Sequence, residues 1–444
     1  MIILAKNRIL SGLICVLLTL AGRGLDAQVW RMDSVGILPE PVTNSAVIAA
    51  TVEDTPYIYT FGGLDSSKKY SGIHLKSWRY NTLSGRVERL EDVPDGRGKI
   101  AMAASKVDSI IYIIGGYHVY ASGREKSSAK MHRFNLKSNH FIQDGPDLLY
   151  PIDDHVQVVY KNRYIYVITG WMNTHNVPFV QIYDPETNQW TEGTKLPNTQ
   201  SYKAFGASGC VVGDTIYYLG GASDQGRFEI RRFLRKGVID SQNNQRIRWS
   251  TSEVMDFGGT YRAASACVGG IPTWIGGSGQ TYNYDGISYA GHRGVPPLQL
   301  IYEKRKAEGE AFRSVELKGL PMDLRGIGLV NDSTLYVLGG MGEAQKVRRQ
   351  ILRLRLMQPT GTANTTAKPQ GGIKIYPNPS CSRLRIFTGK VGGGRMPYIV
   401  YRLTGKELLK GKTARDGSIL MDGLPEGIYL LKTPQGIGRF VIRH

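Results

Sequence analysis

Six times along the chain an apolar run ends in a glycine pair or a near variant of one. The sites are Phe61-Gly62-Gly63, Ile114-Gly115-Gly116, Ile168-Thr169-Gly170, Leu219-Gly220-Gly221, Ile275-Gly276-Gly277 and Leu338-Gly339-Gly340, at intervals of 53, 54, 51, 56 and 63 residues. Around each pair the apolar positions fall into four short runs separated by polar and turn residues, which predicts four β-strands per unit. In the fourth unit Ala204 to Val212 is small and apolar, Asp214 opens a turn, and Ile216 to Leu219 runs into the glycines. Phe228 to Leu234 and Arg246 to Val254 follow as the expected third and fourth strands. Glycines after the second strand permit positive φ where the chain turns sharply. The sixth unit stops after a third strand, Gln350 to Met357, whereas Val29 to Val35 reads as a fourth strand with nothing before it. The N-terminal strand is therefore expected to complete the last unit, leaving no open sheet edge.

A period near 50 residues is that of the kelch repeat. The third unit resembles one closely: an apolar run ends in Thr169-Gly170, the pair Tyr183-Asp184 follows, and Trp190 comes six residues later. The resemblance covers roughly Val29 to Met357. Tyr80-Asn81 and Phe134-Asn135 replace Tyr-Asp in units one and two, and units four and five lack the pair. The resemblance implies an all-β fold: a six-bladed kelch β-propeller over 28–357, closed by an N-terminal strand. A small C-terminal β-sandwich is expected after it.

The two ends read differently from the repeats. Residues 1–27 have the charged start, short apolar run and small residue before Gln28 of a secretory signal peptide. Residues 358–372 are rich in Thr, Gly, Pro, Ala and Gln and read as a linker. Residues 373–444 hold short strand-like runs with the ordered motifs Tyr376-Pro377-Asn378-Pro379, Gly405-Lys406 and Leu424-Pro425-Glu426-Gly427-Ile428-Tyr429. This tail resembles the C-terminal sorting domain of type IX secretion substrates in Bacteroidetes. That likeness implies export through the type IX machinery to the cell surface (outer membrane) or the medium. Asp33-Ser34-Val35, Asp108-Ser109-Ile110, Asp214-Thr215-Ile216 and Asp332-Ser333-Thr334 look like O-glycosylation sites of the same phylum. The last three also fit polar turns before a second strand.

Charge and cysteine content narrow the classes. The formal net charge is +19, and residues 373–444 carry 13 Lys/Arg against 4 Asp/Glu. With no nucleic-acid motif beside it, this charge reads as a solvated basic face, and no nucleic-acid partner is expected. Beyond the leader no stretch is apolar enough to span a bilayer. Cys210, Cys267 and Cys381 are too few for a disulfide framework. No nucleophile elbow, phosphate loop or zinc-ligand spacing is present, and no cofactor or metal is expected. Copper radical oxidases also carry kelch propellers, but their cofactor residues have no counterpart in this chain.

The remaining chemistry sits in loops. In an up-and-down unit, the loop entering strand one and the loop leaving strand two share a face, around the mouth of the central channel. Candidate ligand-binding residues there are Arg97, His118, Asp154, His155, Trp171, Tyr202, Arg262, Tyr282, His292 and Arg325. Arginines with aromatics around a concave mouth suit carboxylates, sugars or an acidic peptide. Asp153-Asp154-His155 holds acid and base types, but strand alternation is expected to keep them from converging. The leading expectation is a secreted, non-catalytic module that binds a glycan or protein. The alternative is a carbohydrate-active enzyme such as a sialic acid mutarotase, in which Arg262, Arg325, Asp154, His155 and Glu343 would line the mouth.

Overall fold

The fold is taken from a computed structural model, which describes residues 29–254, 257–305, 312–357, 374–376, 383–387, 395–402, 407–414, 416–421, 423–434 and 436–442. The expected leader (1–27), the linker (358–372), Pro377-Asn378-Pro379 and Gly405-Lys406 lie outside the described residues. The chain falls into two compact units, 1–359 and 360–444. Among the described residues there is no α-helix and no segment long and apolar enough to cross a membrane as a helix.

The first unit contains six antiparallel sheets that are each a path of four strands, and a two-stranded ribbon of Trp171–Met172 with His175–Asn176. The six sheets occupy 46–90, 100–142, 156–192, 208–253, 264–316 and 328–357, the last with Val29–Ile37 as its fourth strand. A short extra strand, Glu125–Ser127, folds back onto the second sheet. In the fourth sheet the third strand is Phe233–Ile239, not Phe228 to Leu234. Phe228 lies in the preceding loop at φ 56°, and its ring packs against Trp171, Phe205 and Tyr289. An apolar residue there serves a loop cluster, which apolarity alone does not distinguish from a strand.

First strands of successive sheets pack side by side, and that of the sixth returns to that of the first. Ile48 and Ile327 form a parallel bridge at this junction. The glycine pairs explain how neighbours are joined. The second residue of each pair donates its N–H to a carbonyl of the next sheet. These bonds run from Gly63 to Lys99, Gly116 to Ile152, Gly170 to Ala204, Gly221 to Thr260, Gly277 to Pro321, and Gly340 back to Val42, at 2.8–3.3 Å. The first residue must leave room for that approach. At Gly220 a Cβ would stand 2.2 Å from the Thr260 carbonyl oxygen, and at Gly339 2.1 Å from that of Val42, both at positive φ. Thr169 occupies this place in the third sheet at φ 47°. Its hydroxyl donates to the Val177 carbonyl (3.0 Å) and accepts from the Ala204 N–H (3.1 Å).

Val29–Ile37 pairs with Gln350–Met357, from Val29 opposite Met357 to Ile37 opposite Gln350, with a bulge between Ser34 and Gly36. Trp30 is buried, and its indole N–H donates to Glu303 Oε1 of the fifth sheet at 2.7 Å. The Tyr-Asp and Trp positions of the third sheet also have a physical role. Tyr183 lies opposite Trp190 with ring centroids 5.2 Å apart, while Asp184 holds the Arg163 guanidinium and the Glu186 N–H.

The second unit has one sheet of three strands (Lys374–Tyr376, Arg383–Phe387, Ser418–Leu420) and one of four (Pro397–Arg402, Glu407–Lys412, Gly427–Thr433, Gly436–Ile442). Leu384, Ile386 and Ile419 of the first share a core with Val400, Leu431, Phe440 and Ile442 of the second. Gly427 and Tyr429 lie in the strand Gly427–Thr433, and the Tyr429 hydroxyl donates to the Pro425 carbonyl at 2.6 Å.

Candidate functional site

At or just before the start of each first strand one residue sits at positive φ: Asn44, Ala101, Asp154, Gly206, Arg262 and Asp323. Each stands fourteen to eighteen residues before the first residue of its glycine pair. In five sheets a neighbouring entering residue bridges the loop leaving strand two: Thr43 with Leu64, Asp153 with Trp171, Phe205 with Ala222, Tyr261 with Ser278, and Met322 with Met341. Entering and leaving loops therefore do share a face.

These six residues form a hydrogen-bonded collar. Asp154 N–H donates to Ala101 O, Gly206 to Asp154, Arg262 to Gly206, Leu324 to Arg262, and Asn44 to Asp323, at 2.8–3.3 Å. The Ala101 N–H closes the circle on Asn44 Oδ1 at 2.8 Å.

Arg262 is the hub of the side chains. Its Nε and Nη2 donate to Asp154 at 3.1 and 2.6 Å, and its Nη1 donates to Asp323 at 3.1 Å. The three side chains are at most 2% exposed. Asp323 also accepts from Thr43 Oγ1 (2.9 Å) and Asn44 Nδ2 (2.8 Å). The Arg262 guanidinium lies 5.1 and 5.6 Å from the ring centroids of Tyr261 and Tyr282. Burial works against its charge, but Asp154 and Asp323 outweigh burial and hold its pKa above the ordinary value. Burial raises Asp323 against the pull of Arg262. Arg325 Nη1 stands 3.5 Å from Asp154, and its Nη2 donates to the His155 carbonyl at 2.8 Å.

Two cavities flank this network. A central one of about 360 Å³ is walled by the first strands, with His155, Gln157, Arg325, Ser105, Ser208 and Ser265 as its polar groups. His155 Nε2 donates to Gln157 Oε1 at 2.9 Å, while its Nδ1 and Arg325 Nε are buried without partners. Burial, then Arg325, push the imidazole down to about 4, so it is neutral at pH 7. Cys210 and Cys267, free thiols on neighbouring first strands, also line this cavity. A smaller cavity of about 110 Å³ is lined by Asp154 and Arg262 with Tyr117, Glu125, Asp153, Trp171, Phe205, Phe228, Asn283 and Tyr289. The Asp154–Arg325 pair therefore stands between the two.

Of the residues expected at the mouth, Asp154, Arg262 and Arg325 meet in one ion network, joined by His155 and Tyr282; Trp171 lines the smaller cavity beside them. No hydrogen bond or ion pair among the described residues joins Arg97, His118, Tyr202 or His292 to that network. Arg97 lies exposed over the Tyr120 ring, His118 lies beside the Gly98 carbonyl and Asp95, and the Tyr202 carbonyl accepts from Tyr218. His292 is exposed at φ 52°, and Glu343 is exposed in a 3-10 turn. The alternation expected across Asp153-Asp154-His155 does not apply, because the strand begins at Val156 and Asp154 has φ 47°. Asp153 and Asp154 line one cavity and His155 the other. Asn44, Asp323, Glu125, Phe205 and Phe228 are site residues that strand-by-strand reading missed. The first two fall within the window of fourteen to eighteen residues before the glycine pair.

Comparison with known proteins agrees with this architecture. Residues 25–283 match the family model described as the KLHDC2/KLHL20/DRC7 Kelch-repeats domain. Kelch-like protein 25 of Xenopus tropicalis is 23% identical over 195 residues, 43% of this chain and 30% of the relative, so the chain spans about a third of that protein's length. The solved structure of YjhT aligns over 72% of this chain and 96% of its own, with a TM-score of 0.57 and 18% identity, a likeness of fold. On the extent of the family match, this chain belongs to the kelch-repeat family.

Proposed function

We propose that the six sheets are blades of a six-bladed propeller, exported by type IX secretion, that binds a protein or glycan ligand without chemical turnover. The observation that carries the binding reading is the smaller cavity: aromatic walls (Trp171, Phe205, Phe228, Tyr289) over polar groups at the end of a closed collar. Aromatic surface with a few convergent polar groups is the usual make-up of a recognition site. A rigid collar holds that surface in place before the ligand arrives. Of the arginines expected to face a ligand, Arg262 and Arg325 are turned to Asp154 and Asp323 and Arg97 lies apart over Tyr120, so contact falls to the aromatics. A screen of glycans and surface proteins with the full chain and its Trp171→Ala variant tests this. Ligands bound at least tenfold more weakly by the variant support it, and equal binding of every hit refutes it.

The second unit is proposed as the sorting domain, a small β-sandwich, with Gly427 and Tyr429 on one of its strands. Deleting residues 373–444 should then strand the protein in the periplasm, and normal surface display of the deletion would reject the assignment.

One feature favours a second reading, that of a sugar mutarotase. His155 Nδ1 and Arg325 Nε lie unpartnered beside the larger cavity, offering a neutral base and a cationic edge. Anomeric exchange of N-acetylneuraminate, followed by NMR, decides. Acceleration by the full chain that is lost in His155→Gln would replace the binding reading.

A further inference from the structure

Charge balance at the mouth narrows the ligand class. Arg262 and Arg325 stand against Asp154 and Asp323, two cations and two anions in one closed set. Two further acids at the smaller cavity have no cation of their own. Asp153 is 3% exposed; its Oδ2 accepts from Ser127 Oγ at 2.5 Å, and its Oδ1 takes no hydrogen bond among the described residues. The side chain of Glu125, on the extra strand of the second sheet, takes neither a hydrogen bond nor an ion pair among them. Tyr117, 4% exposed, lines the same cavity with its hydroxyl also unpartnered. Burial raises Glu125, and burial with the neighbouring Asp154 raises Asp153; in both, these effects outweigh the lowering field of Arg262.

The walls add to this preference. Phe228 packs 4.6 Å from Tyr289 and 5.6 Å from Trp171, ring centroid to centroid. Aromatic faces carry the negative part of the ring quadrupole and attract cations. The pocket, about 110 Å³, admits a guanidinium or an alkylammonium tip. An anion would meet two uncompensated carboxyls, whereas a neutral ligand would leave them unpaired.

We infer that this pocket takes a guanidinium or ammonium group, presented as an Arg or Lys side chain by a protein partner. The inference rests on the mouth-binding reading above and selects a protein ligand within it. Recognition is by charge pairing to Glu125 and Asp153 and by stacking on Trp171, Phe228 and Tyr289.

The test titrates N-acetylarginine amide into the full chain, followed by Trp fluorescence and NMR. N-acetylcitrulline amide serves as the neutral isostere and N-acetylneuraminate as the anion. The arginine probe should bind at least tenfold more tightly than citrulline. Glu125→Gln and, separately, Asp153→Asn should each weaken it at least tenfold while leaving the melting temperature of Glu125→Gln unchanged. Equal binding of the arginine and citrulline probes overturns the cation assignment and leaves the mouth reading standing. So does N-acetylneuraminate binding that competes at Trp171. No binding of the arginine probe, with screen hits still sensitive to Trp171→Ala, also overturns the cation assignment alone. Hits insensitive to Trp171→Ala overturn the mouth reading itself.

Discussion

Replacing Arg262 with Met removes the hub of the collar and leaves two buried carboxyls facing each other. The three side chains are essentially inaccessible, so water cannot take over the lost hydrogen bonds. Breaking a buried ion set by removing one partner costs about 3–5 kcal/mol. Arg325 lies near Asp154 at 3.5 Å, and Thr43 and Asn44 still donate to Asp323. The cost therefore falls mainly on the uncompensated charge of Asp323. A ring of about 330 residues has an unfolding entropy near 0.7 kcal/mol/K, so the melting temperature should fall by about 4–7 °C. The sign of the pH effect follows. Burial already holds the Asp323 pKa above its ordinary 3.8, and loss of Arg262 raises it further. A carboxyl that binds its proton more tightly when folded stabilises the fold at low pH and loses that contribution as pH rises through the folded pKa. Arg262→Met should therefore sit closer to wild type at pH 5 than at pH 8. Calorimetry on the full chain at both pH values measures this. The triple variant carrying Asp154→Asn and Asp323→Asn as well should recover most of the loss at pH 8. A single variant within 1 °C of wild type at pH 8, or a triple variant no better than the single, would refute the reasoning.

Three further outcomes are expected. Trp30→Ala should cost about 3–5 kcal/mol, since the indole is buried and bonds to Glu303 of the fifth sheet; urea unfolding reads the change, and an unchanged midpoint would count against closure by the N-terminal strand. Gly220→Ala should destabilise by well over the roughly 1–2 kcal/mol of a left-handed alanine, because its Cβ would meet the Thr260 carbonyl at 2.2 Å. Gly123→Ala, at φ 80° with nothing within 4 Å, should show the backbone cost alone, and equal losses at the two sites would disprove the inter-sheet role. Against burial, Asp95 is held well below 3.8 by His132 and the buried Lys99. Its contribution is present above the unfolded pKa and lost as pH falls toward the folded one. Asp95→Asn should therefore flatten the acid limb of a stability–pH curve, and a curve parallel to wild type would reject the pairing.

The features legible in the sequence are those imposed on the backbone. A glycine pair recurs because two consecutive positive-φ residues and a close carbonyl are needed wherever one sheet meets the next. The strand Val29–Ile37 was legible by subtraction, since the sixth unit lacked a fourth strand. The site was less legible because its partners are set around the ring. Arg262 meets Asp154 from two sheets earlier and Asp323 from the next, and no local pattern encodes such a pairing. Glu125 and Phe228 escaped for a different reason: one sits on a short added strand and the other in a loop at positive φ. Their chemistry depends on where those loops fold back.

The pairing of Val29 with Met357 also imposes an order in time. Five sheets can form as soon as their own residues exist, each from a local stretch of chain. The sixth cannot, because its outer strand is made first and its partner last, 328 positions apart. Until Met357 is available, that strand has nothing to pair with, Trp30 has no burial site, and Gly340 has no reach to Val42. Completion of the ring is therefore a single late event with a large loop to close. A chain interrupted anywhere before its final strand remains an open arc rather than a smaller ring.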